Sequence, residues 1–259
     1  MGKLLILSSS QINAGTIIAA SRGSGAANLL THDPKEVWAD SAVGSAATID
    51  IDLGSIQTLN CVALCAVYDA VAGTSWTITG GTAGYAETTL KPAGGLRAID
   101  AAAAAANPTH GLWLAASGNY RYIRISLTQP AGQPVLKIGR VLIGAGLQMT
   151  YGQEWGAGRG VTDTGTATRL PSGGLAMVEG ARFASYAWSF GDLTEAEVEK
   201  LYGLQKDLGE TLPLLVVEDP DGTAGQANRM HYGRLVSLRR FERRSVGRTR
   251  WEFTVEDWI

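Results

Sequence analysis

The segment Trp251-Glu-Phe-Thr-Val-Glu-Asp-Trp-Ile259 has the alternation that decides the fold at the C-terminal end of the chain. Large apolar residues stand at every second position and polar residues between them: Trp251, Phe253 and Val255 against Glu252, Thr254 and Glu256. This period is typical of a strand with one buried face. Residues 234–242 form a second candidate strand, with a turn at Ser245-Val-Gly247. The sequence therefore predicts a terminal hairpin inside a sheet, which ties down the last residues.

The composition is typical of a β-rich globular chain. Of 259 residues, 45% are hydrophobic and 18% are charged, and there are 33 glycines. The hydrophobic residues are enough for a core, and the glycines supply many turn positions. A chain of this length is expected to form one or two domains. The net charge of −2 argues against a sequence-specific nucleic-acid partner, because such proteins usually carry a basic excess.

The first residues begin like a signal peptide but do not continue as one. Lys3-Leu-Leu-Ile-Leu7 is basic and then apolar, and the run stops at Ser8. A signal peptide needs an apolar region of about 7–15 residues, and a membrane-spanning helix needs about 20. We therefore expect a chain without a membrane span that is made and folded in the cytoplasm.

Residues 1–145 contain short apolar runs separated by Gly and Pro turns. The candidate strands are residues 48–53, 59–64, 75–79, 120–127 and 138–143. Short strands at this spacing indicate a β-sandwich. Cys61 and Cys65 would lie about 13 Å apart along a strand, beyond the limit of about 7 Å for a disulfide. We expect both cysteines in the core.

Residues 146–259 contain the clearest helix signal. Residues 181–190 alternate as a strand does, and Thr194-Glu-Ala-Glu197 is a capping box at a helix start. Apolar residues then follow at helical spacing, at Val198, Leu201, Tyr202 and Leu208. Gly209 is placed as the C-terminal cap, and Pro213–Val217 reads as a buried strand.

No residue pattern points to catalysis, so no enzyme activity, cofactor or metal is expected. The three histidines are scattered, and neither a phosphate-binding loop nor a nucleophile elbow occurs. Asp50 and Asp52 share a strand face, and carboxylate pairs can hydrolyse glycosidic bonds. We favour the simpler interpretation, in which both aspartates face solvent and Glu195, Glu197 and Glu199 complement the N-terminus of the helix.

The N-terminal half resembles the discoidin or galactose-binding-like jelly roll. The resemblance covers most of residues 25–145 and lies in the order of short motifs: Asn28-Leu29, Asp33, Trp38, the strand end Asp50-Ile-Asp-Leu-Gly54, Tyr122-Ile-Arg-Ile125 and Gly139-Arg-Val-Leu-Ile143. It implies a β-sandwich whose loops could bind a glycan, with an aromatic ring on the sugar face and polar groups on its hydroxyls. The candidate binding loop is His32, Asp33, Trp38 and Asp40. In the resembled family these positions also serve as core or turn residues, and that interpretation is favoured.

The C-terminal half resembles the distal-tail or tail-hub proteins of long-tailed bacteriophages. The resemblance lies in the order strand, helix, apolar strand, Asp-Pro turn and terminal hairpin over residues 146–259. It completes a mainly β fold: an N-terminal jelly-roll β-sandwich (1–145) and a C-terminal β-rich, tail-tube-like domain with one α-helix (146–259).

This resemblance implies a structural protein of a phage or prophage tail tip or baseplate, located in the virion tail. Copies would form a ring at the distal end of the tail tube, with a hexamer favoured over a trimer. Its other partners would be tail-tube, tape-measure and tip proteins, and host-surface glycan is a further candidate. The alternative function is a carbohydrate-binding module that recognises a cell-surface glycan.

Arginines cluster toward the C-terminal end of the chain. The set is Arg234, Arg239, Arg240, Arg243, Arg244, Arg248 and Arg250. Three interpretations are open: contact with the DNA backbone, ion pairs between subunits, or a solvated edge that prevents strand aggregation. We favour subunit pairing, with Asp192, Glu195 and Glu197 as partners, because the rest of the chain is acidic.

Overall fold

The computed structural model describes residues 3–8, 12, 15–96, 108–221 and 229–258. Over this part, the chain is mainly β, with antiparallel sheets and one α-helix, as predicted. It divides into two compact units, unit 1 (Met1–Thr150 and Leu214–Tyr232) and unit 2 (Tyr151–Pro213 and Gly233–Ile259). The predicted domain boundary after residue 145 stays a prediction, and the two units interleave along the sequence.

The elements follow one another in a fixed order along the described chain. They are β1 (Leu5–Leu7), β2 (Ile17–Ala20), a short 3-10 helix (Ala26–Leu30), β3 (Trp38–Ala39), β4 (Ala46–Tyr68), β5 (Ser75–Gly81), β6 (Thr88–Gly95), β7 (Thr109–Thr128), β8 (Lys137–Gly144), β9 (Leu147–Gln148), β10 (Gly158–Asp163), β11 (Thr166–Arg169), β12 (Leu175–Val178), β13 (Arg182–Leu193), α1 (Glu195–Leu208), β14 (Pro213–Val217), β15 (Met230–Leu235), β16 (Glu242–Ser245) and β17 (Arg248–Asp257).

Unit 1 is built around two long antiparallel strands, β4 and β7. The strand order in their sheet is β3-β8-β4-β7-β5-β6, and β2 pairs with the first part of β4. The second part of β4 pairs with β8 instead, so the two ends of the strand have different neighbours. Apolar side chains from both parts, including Ile49, Ile51, Val62 and Leu64, pack in one core. The result is a β-sandwich.

The predicted strands 48–53 and 59–64 are both parts of β4, so their separation was wrong. The register of β4 against β7 shifts between Asp52 and Gln57 without ending the strand. Gly54 has a positive φ of 80°, and its N–H donates to Asp52 Oδ1 at 2.8 Å. A bend of this kind turns the strand without ending its pairing. Cys61 and Cys65 lie in the second part of β4, where both are free and buried, as predicted.

Unit 1 also contains paired strands that bring distant parts of the sequence together. β1 pairs with β9 on one side and with β14 on the other, and Leu5 lies opposite Val217. The side chains of β1 and β14 are buried at every position. Residues 214–217 are therefore packed in unit 1, although unit 2 residues precede them in the chain.

In unit 2, β17 is an internal strand, as its alternation predicts. β13 pairs with one side of β17, and β16 and the end of β15 pair with the other. The apolar positions of β13 and β17 form an aromatic stack in which the ring centroids of Trp251 and Phe253 are 4.5 Å apart and those of Trp188 and Phe253 are 5.4 Å apart. Ile259 of the predicted strand lies outside the described residues.

The predicted helix is confirmed together with its cap. Thr194 Oγ1 accepts from Glu197 N–H, while the Glu197 carboxylate accepts from Thr194 N–H at 2.8 Å. The helix packs on β17 through Leu201, Leu204 and Leu208. Tyr202, which the spacing assigned to the buried face, is 51% exposed.

The predicted strand 234–242 is wrong in its middle part. The turn at Val246-Gly247 is confirmed, but the strand before it is β16, while β15 ends at Leu235. Between the two strands, Val236 N–H still donates to Thr254 O of β17 at 3.0 Å. The backbone after it bonds to side chains of unit 2. Gln205 Nε2 donates to Arg239 O at 3.2 Å, and Leu238 N–H donates to Glu210 Oε1 at 3.3 Å.

We predict that Trp251→Ala lowers the free energy of unfolding by about 3–5 kcal/mol, because it removes the centre of a buried aromatic stack. Trp155→Ala is the matched control, since the Trp155 side chain is 86% exposed and should change stability by less than about 0.5 kcal/mol. Urea unfolding followed by circular dichroism measures both. Equal losses of unfolding free energy in the two variants would contradict the assignment of Trp251 to the core.

Candidate functional site

The structure places the four residues of the predicted glycan loop in different environments. Trp38 is 0% exposed, and its Nε1–H donates to Arg22 O at 3.2 Å. Asp40 is also buried, whereas His32 and Asp33 are exposed. An indole in the core cannot stack on a sugar, so Trp38 does not form a binding platform in this conformation. Its position fits the core role left open by the sequence.

Asp40 is held by a bidentate ion pair. Arg22 Nε donates to Asp40 Oδ1 at 2.6 Å, and Arg22 Nη2 donates to Oδ2 at 2.9 Å. Burial alone would raise the pKa of Asp40, but the bonds from Arg22 and from the N–H groups of Ser41 and Ala42 outweigh it and lower the pKa. Asp40 is therefore a charged structural residue at neutral pH and has little capacity left for a ligand.

His32 and Asp33 make local contacts. Asp33 Oδ1 accepts from Lys35 N–H at 2.9 Å, and the His32 carbonyl accepts from the Tyr232 hydroxyl at 2.9 Å. Partial burial and the charge of Arg140 lower the pKa of His32. The imidazole is therefore mainly neutral at neutral pH. A binding role for His32 and Asp33 stays a prediction.

A second group of residues lies together on the outer side of the unit 1 sheet. We call it the tyrosine–arginine face, and it consists of Asp50, Asp52, Tyr85, Arg121, Tyr122 and Arg124. Arg124 makes a bidentate pair with Asp50 at 2.6 and 2.7 Å, and Arg121 makes one with Asp52 at 2.8 and 3.0 Å. The rings of Tyr85 and Tyr122 meet edge to face, with centroids 5.0 Å apart.

The arginines of this face also contact the tyrosine rings. Arg121 Cζ is 4.9 Å from the Tyr122 centroid, and Arg124 Cζ is 5.4 Å from the Tyr85 centroid. These distances are in the range of cation–π contacts. Each guanidinium therefore bridges one ring and one carboxylate, which orders the whole group.

The register of β4 and β7 creates most of this face. Asp50 lies opposite Arg124, and Asp52 lies opposite Tyr122, while Ile51 lies opposite Ile123 in the core. Alternation along each strand thus sends the apolar side chains inward and the polar ones outward. The sequence placed Asp50 and Asp52 on one strand face, but it gave no reason to join them to Tyr122 and Arg124.

The sequence analysis did not identify Tyr85 as a candidate site residue. Tyr85 lies in the loop between β5 and β6, where the two-residue alternation of a strand does not occur. The loop is held by hydrogen bonds within unit 1. Thr79 Oγ1 donates to Tyr85 O at 2.6 Å, and the Glu87 carboxylate accepts from the N–H groups of Thr82 and Ala83 at 3.0 and 2.7 Å. The Tyr85 ring is therefore presented by a structured loop.

The charges on the face are stable at neutral pH. Hydrogen bonding to Arg121 lowers the pKa of Asp52 despite the opposing effect of burial. Burial and the nearby aspartates raise the pKa of Tyr85, so its hydroxyl keeps its proton. The side chains of Arg121 and Arg124 are 37% and 35% exposed. Solvent, and hence a ligand, can reach them.

Most of the predicted interface arginines are paired within unit 2. Arg234 pairs with Glu256 at 3.0 Å, Arg243 with Glu195 at 2.9 Å, and Arg244 with Glu154 at 3.1 Å. Arg250 pairs with Glu252 and Glu154. Arg248 lies over the Tyr151 ring at 4.6 Å. Glu195, one of the predicted acidic partners, thus pairs with an arginine of its own chain. Glu154 also pairs with an arginine, and it was not among the predicted partners.

Arg239 and Arg240 differ from the other members of the set. Among the described residues, neither guanidinium has a carboxylate within ion-pair distance. Both line a pocket of about 300 Å³. The remaining lining residues are Leu238, Glu242, Arg250 and Glu252. These two arginines are the members of the set best placed to meet an acidic surface.

Two further features of the described residues concern membranes and metals. No helix there combines the length and the apolar character that crossing a membrane requires. In the same part of the chain, no group of three or more His, Cys, Asp or Glu side chains is arranged to hold a metal ion.

Comparison with known proteins gives similarity over about half of the chain. CpGH89CBM32-6 from Clostridium perfringens is 15% identical, with a TM-score of 0.39 over 51% of this chain and 95% of that one. Chitosan-binding module 1 of a chitosanase/glucanase from Paenibacillus sp. IK-5 is 18% identical, with a TM-score of 0.39 over 50% of this chain and 94% of the module.

A GH29 fucosidase from Ruminococcus gnavus, solved in complex with fucose, is 16% identical, with a TM-score of 0.40. The match covers 54% of this chain and 27% of the fucosidase. No protein-family model and no curated protein sequence matches the chain. At these identities and TM-scores we transfer no function or binding residue to this chain.

We predict that Asp40→Asn lowers the free energy of unfolding at pH 7 by about 1–3 kcal/mol, because it breaks charged hydrogen bonds at a buried site. The folded-state pKa of Asp40 lies below its ordinary value of 3.8. The pair therefore stabilises the fold above that pH and is lost as the pH falls through the folded-state pKa. The difference between wild type and variant should be large at pH 7 and shrink as the pH falls below 3.8.

The control is Asp163→Asn, which breaks an exposed pair with Arg182 and should leave stability unchanged. Urea unfolding at both pH values measures the effect. A variant as stable as wild type at pH 7 would contradict the role assigned to the pair.

Proposed function

We propose that unit 1 binds carbohydrate through the tyrosine–arginine face. The observation that carries this proposal is the union of two partly exposed tyrosine rings with two bidentate arginine–aspartate pairs on one sheet surface. A tyrosine ring offers an apolar face to the C–H groups of a sugar and a hydroxyl to its polar edge.

The ion pairs keep hydrogen-bonding capacity for sugar hydroxyls. A guanidinium has five N–H donors, and a carboxylate has about four lone-pair sites. The Asp50–Arg124 pair uses two of each, through Nε and Nη2 of Arg124 and both oxygens of Asp50. Among the described residues, no hydrogen-bond partner takes up their remaining donors and acceptors. A sugar hydroxyl can both donate and accept. The opposite charges cancel, which favours a neutral glycan over an acidic one.

We predict that Tyr85→Ala weakens glycan binding at least tenfold, which corresponds to about 1.4 kcal/mol, because half of the aromatic surface is lost. Wild type is screened on a glycan array, and the best neutral oligosaccharide is then titrated calorimetrically. Tyr202→Ala is the matched control, since Tyr202 is a half-exposed tyrosine on α1, which belongs to unit 2. Absence of binding by the wild type at millimolar sugar, or unchanged affinity of Tyr85→Ala, would sink the proposal.

The second candidate function is structural: a ring-forming subunit of a phage or prophage tail tip that connects the tail tube to the tip proteins. It is supported by the order of β13, α1, β14 and the β16–β17 hairpin along the chain, which is the order of the resembled tail-hub proteins. Arg239 and Arg240 have no carboxylate partner in the described part of the chain and so offer positive charge for a neighbouring acidic surface. The two candidates are compatible, because the glycan face belongs to unit 1.

For the structural role we predict assemblies of one defined copy number, six being favoured over three, because closed cyclic contacts fix that number. Mass photometry of the purified chain with negative-stain imaging measures this directly. A monomer at every concentration tested, up to the micromolar range, would count against the structural candidate and leave the carbohydrate proposal untouched.

A further inference from the structure

Exposed apolar side chains are concentrated in one segment of unit 2. Of the large hydrophobic side chains exposed in the described chain, the majority lie between residues 151 and 178: Tyr151, Trp155, Val161, Leu170, Leu175, Met177 and Val178. Val161, Met177 and Val178 are 71%, 73% and 68% exposed. Single exposed apolar residues are common on protein surfaces, but a continuous group marks an interaction surface.

The segment forms an arm that extends a two-stranded ribbon. β10 pairs with β13, and β11 pairs with β12 further along. Thr164 N–H and Oγ1 both bond to Ala181 O, at 3.0 and 3.1 Å, and join the two parts. The strands close at a turn in which Leu170 N–H donates to Gly174 O at 2.8 Å. We call residues 164–181 the ribbon arm.

Two strand edges are open in this region, one on the ribbon arm and one on β10. The pairing of β13 with β17 starts at Ser185, so β17 does not accompany the arm. In the described chain, β11 and β12 pair only with each other. The outer edge of β10 is likewise open there, because β10 pairs only with β13.

The open edges of β12 and β10 are both suited to pairing with a further strand. A two-stranded hairpin is marginally stable alone in water, and every side chain of β11 and β12 is exposed. Open edges in monomeric proteins are usually protected by charges, proline or bulges. Along β12 the side chains are Leu175, Ala176, Met177 and Val178, with no charge among them.

We propose that the ribbon arm of one chain docks on a second copy, with its β12 edge added to the open β10 edge of the neighbour. This inference rests on the assembly role proposed above. A second copy is the fitting occupant because one chain carries both halves of the contact, a projecting strand without a third partner and a sheet edge without a neighbour. Main-chain hydrogen bonds would provide the attraction, as in other strand additions.

The side chains of the two strands are complementary in size. Gly158 and Gly160 lie on one face of β10, opposite Ala187 and Ser185 of β13. This leaves a shallow strip beside the incoming strand, where a large side chain such as Met177 can lie. The two edges are on opposite sides of the ribbon, so the contact is head to tail and generates a ring or a filament.

Cross-linking tests the contact directly. Val161→Cys and Val178→Cys are made as separate variants, and Ile56→Cys, 57% exposed in unit 1, is the control. The native Cys61 and Cys65 are buried, and burial raises the pKa of Cys65, so a short bismaleimide should react with the introduced thiols. Mixing Val161→Cys with Val178→Cys, which lie on the same face of the proposed joint sheet, should give at least tenfold more covalent dimer than mixing either with Ile56→Cys.

Charge substitutions test the contact made by the ribbon arm separately from the ability of the chain to assemble. Met177→Lys with Val178→Lys should convert the assembly to monomers in mass photometry without lowering the melting temperature. Ile17→Lys with Ile56→Lys, at two exposed apolar positions of unit 1, is the matched control and should leave it assembled. Cross-linking no better than the control, or an assembly that survives the lysines, overturns the arm contact while the structural role stands. A wild type that is monomeric throughout overturns both.

Discussion

The pairing of β4 with β7 is the constraint on which unit 1 depends. Because side chains alternate across a strand, one register decides both the core and the outer surface. Ile51 and Ile123 face each other inside, while the neighbouring Asp52 and Tyr122 face each other outside. A slip of one residue would exchange the two sets. The same pairing therefore stabilises the sandwich and assembles the tyrosine–arginine face.

The sequence predicted those elements whose signals are local. The capping box of α1 needs only Thr194 and Glu197, and the alternation of β17 lies within seven residues of Trp251. The middle of the predicted strand 234–242 failed because its backbone is bonded by Gln205 and Glu210, a competition that the local pattern does not contain. The burial of Trp38 agrees with the favoured core interpretation, although an aromatic residue suits a core and a sugar platform alike.

Charge is sparse in this chain, and much of it is used in internal pairs. Asp40, Asp50 and Asp52 each hold an arginine. Such pairs contribute modest energy when exposed, but they fix the orientation of both side chains. On the tyrosine–arginine face that order is the basis of the proposed site. In unit 2 it reduces the arginine set to two free members, and the apolar ribbon arm becomes the stronger candidate for contact between copies.

The pairing of β1 with β14 has a consequence for how the chain folds. Leu5 meets Val217 across more than two hundred intervening residues, so unit 1 includes contacts of very high sequence separation. Closing such a loop costs entropy before any contact repays it, and proteins rich in such contacts fold slowly. During synthesis, β1 cannot pair with β14 until the ribosome has released residues 213–217. A fragment ending near residue 150 would keep that strand exposed, so the sandwich should be studied with residues 214–232 present.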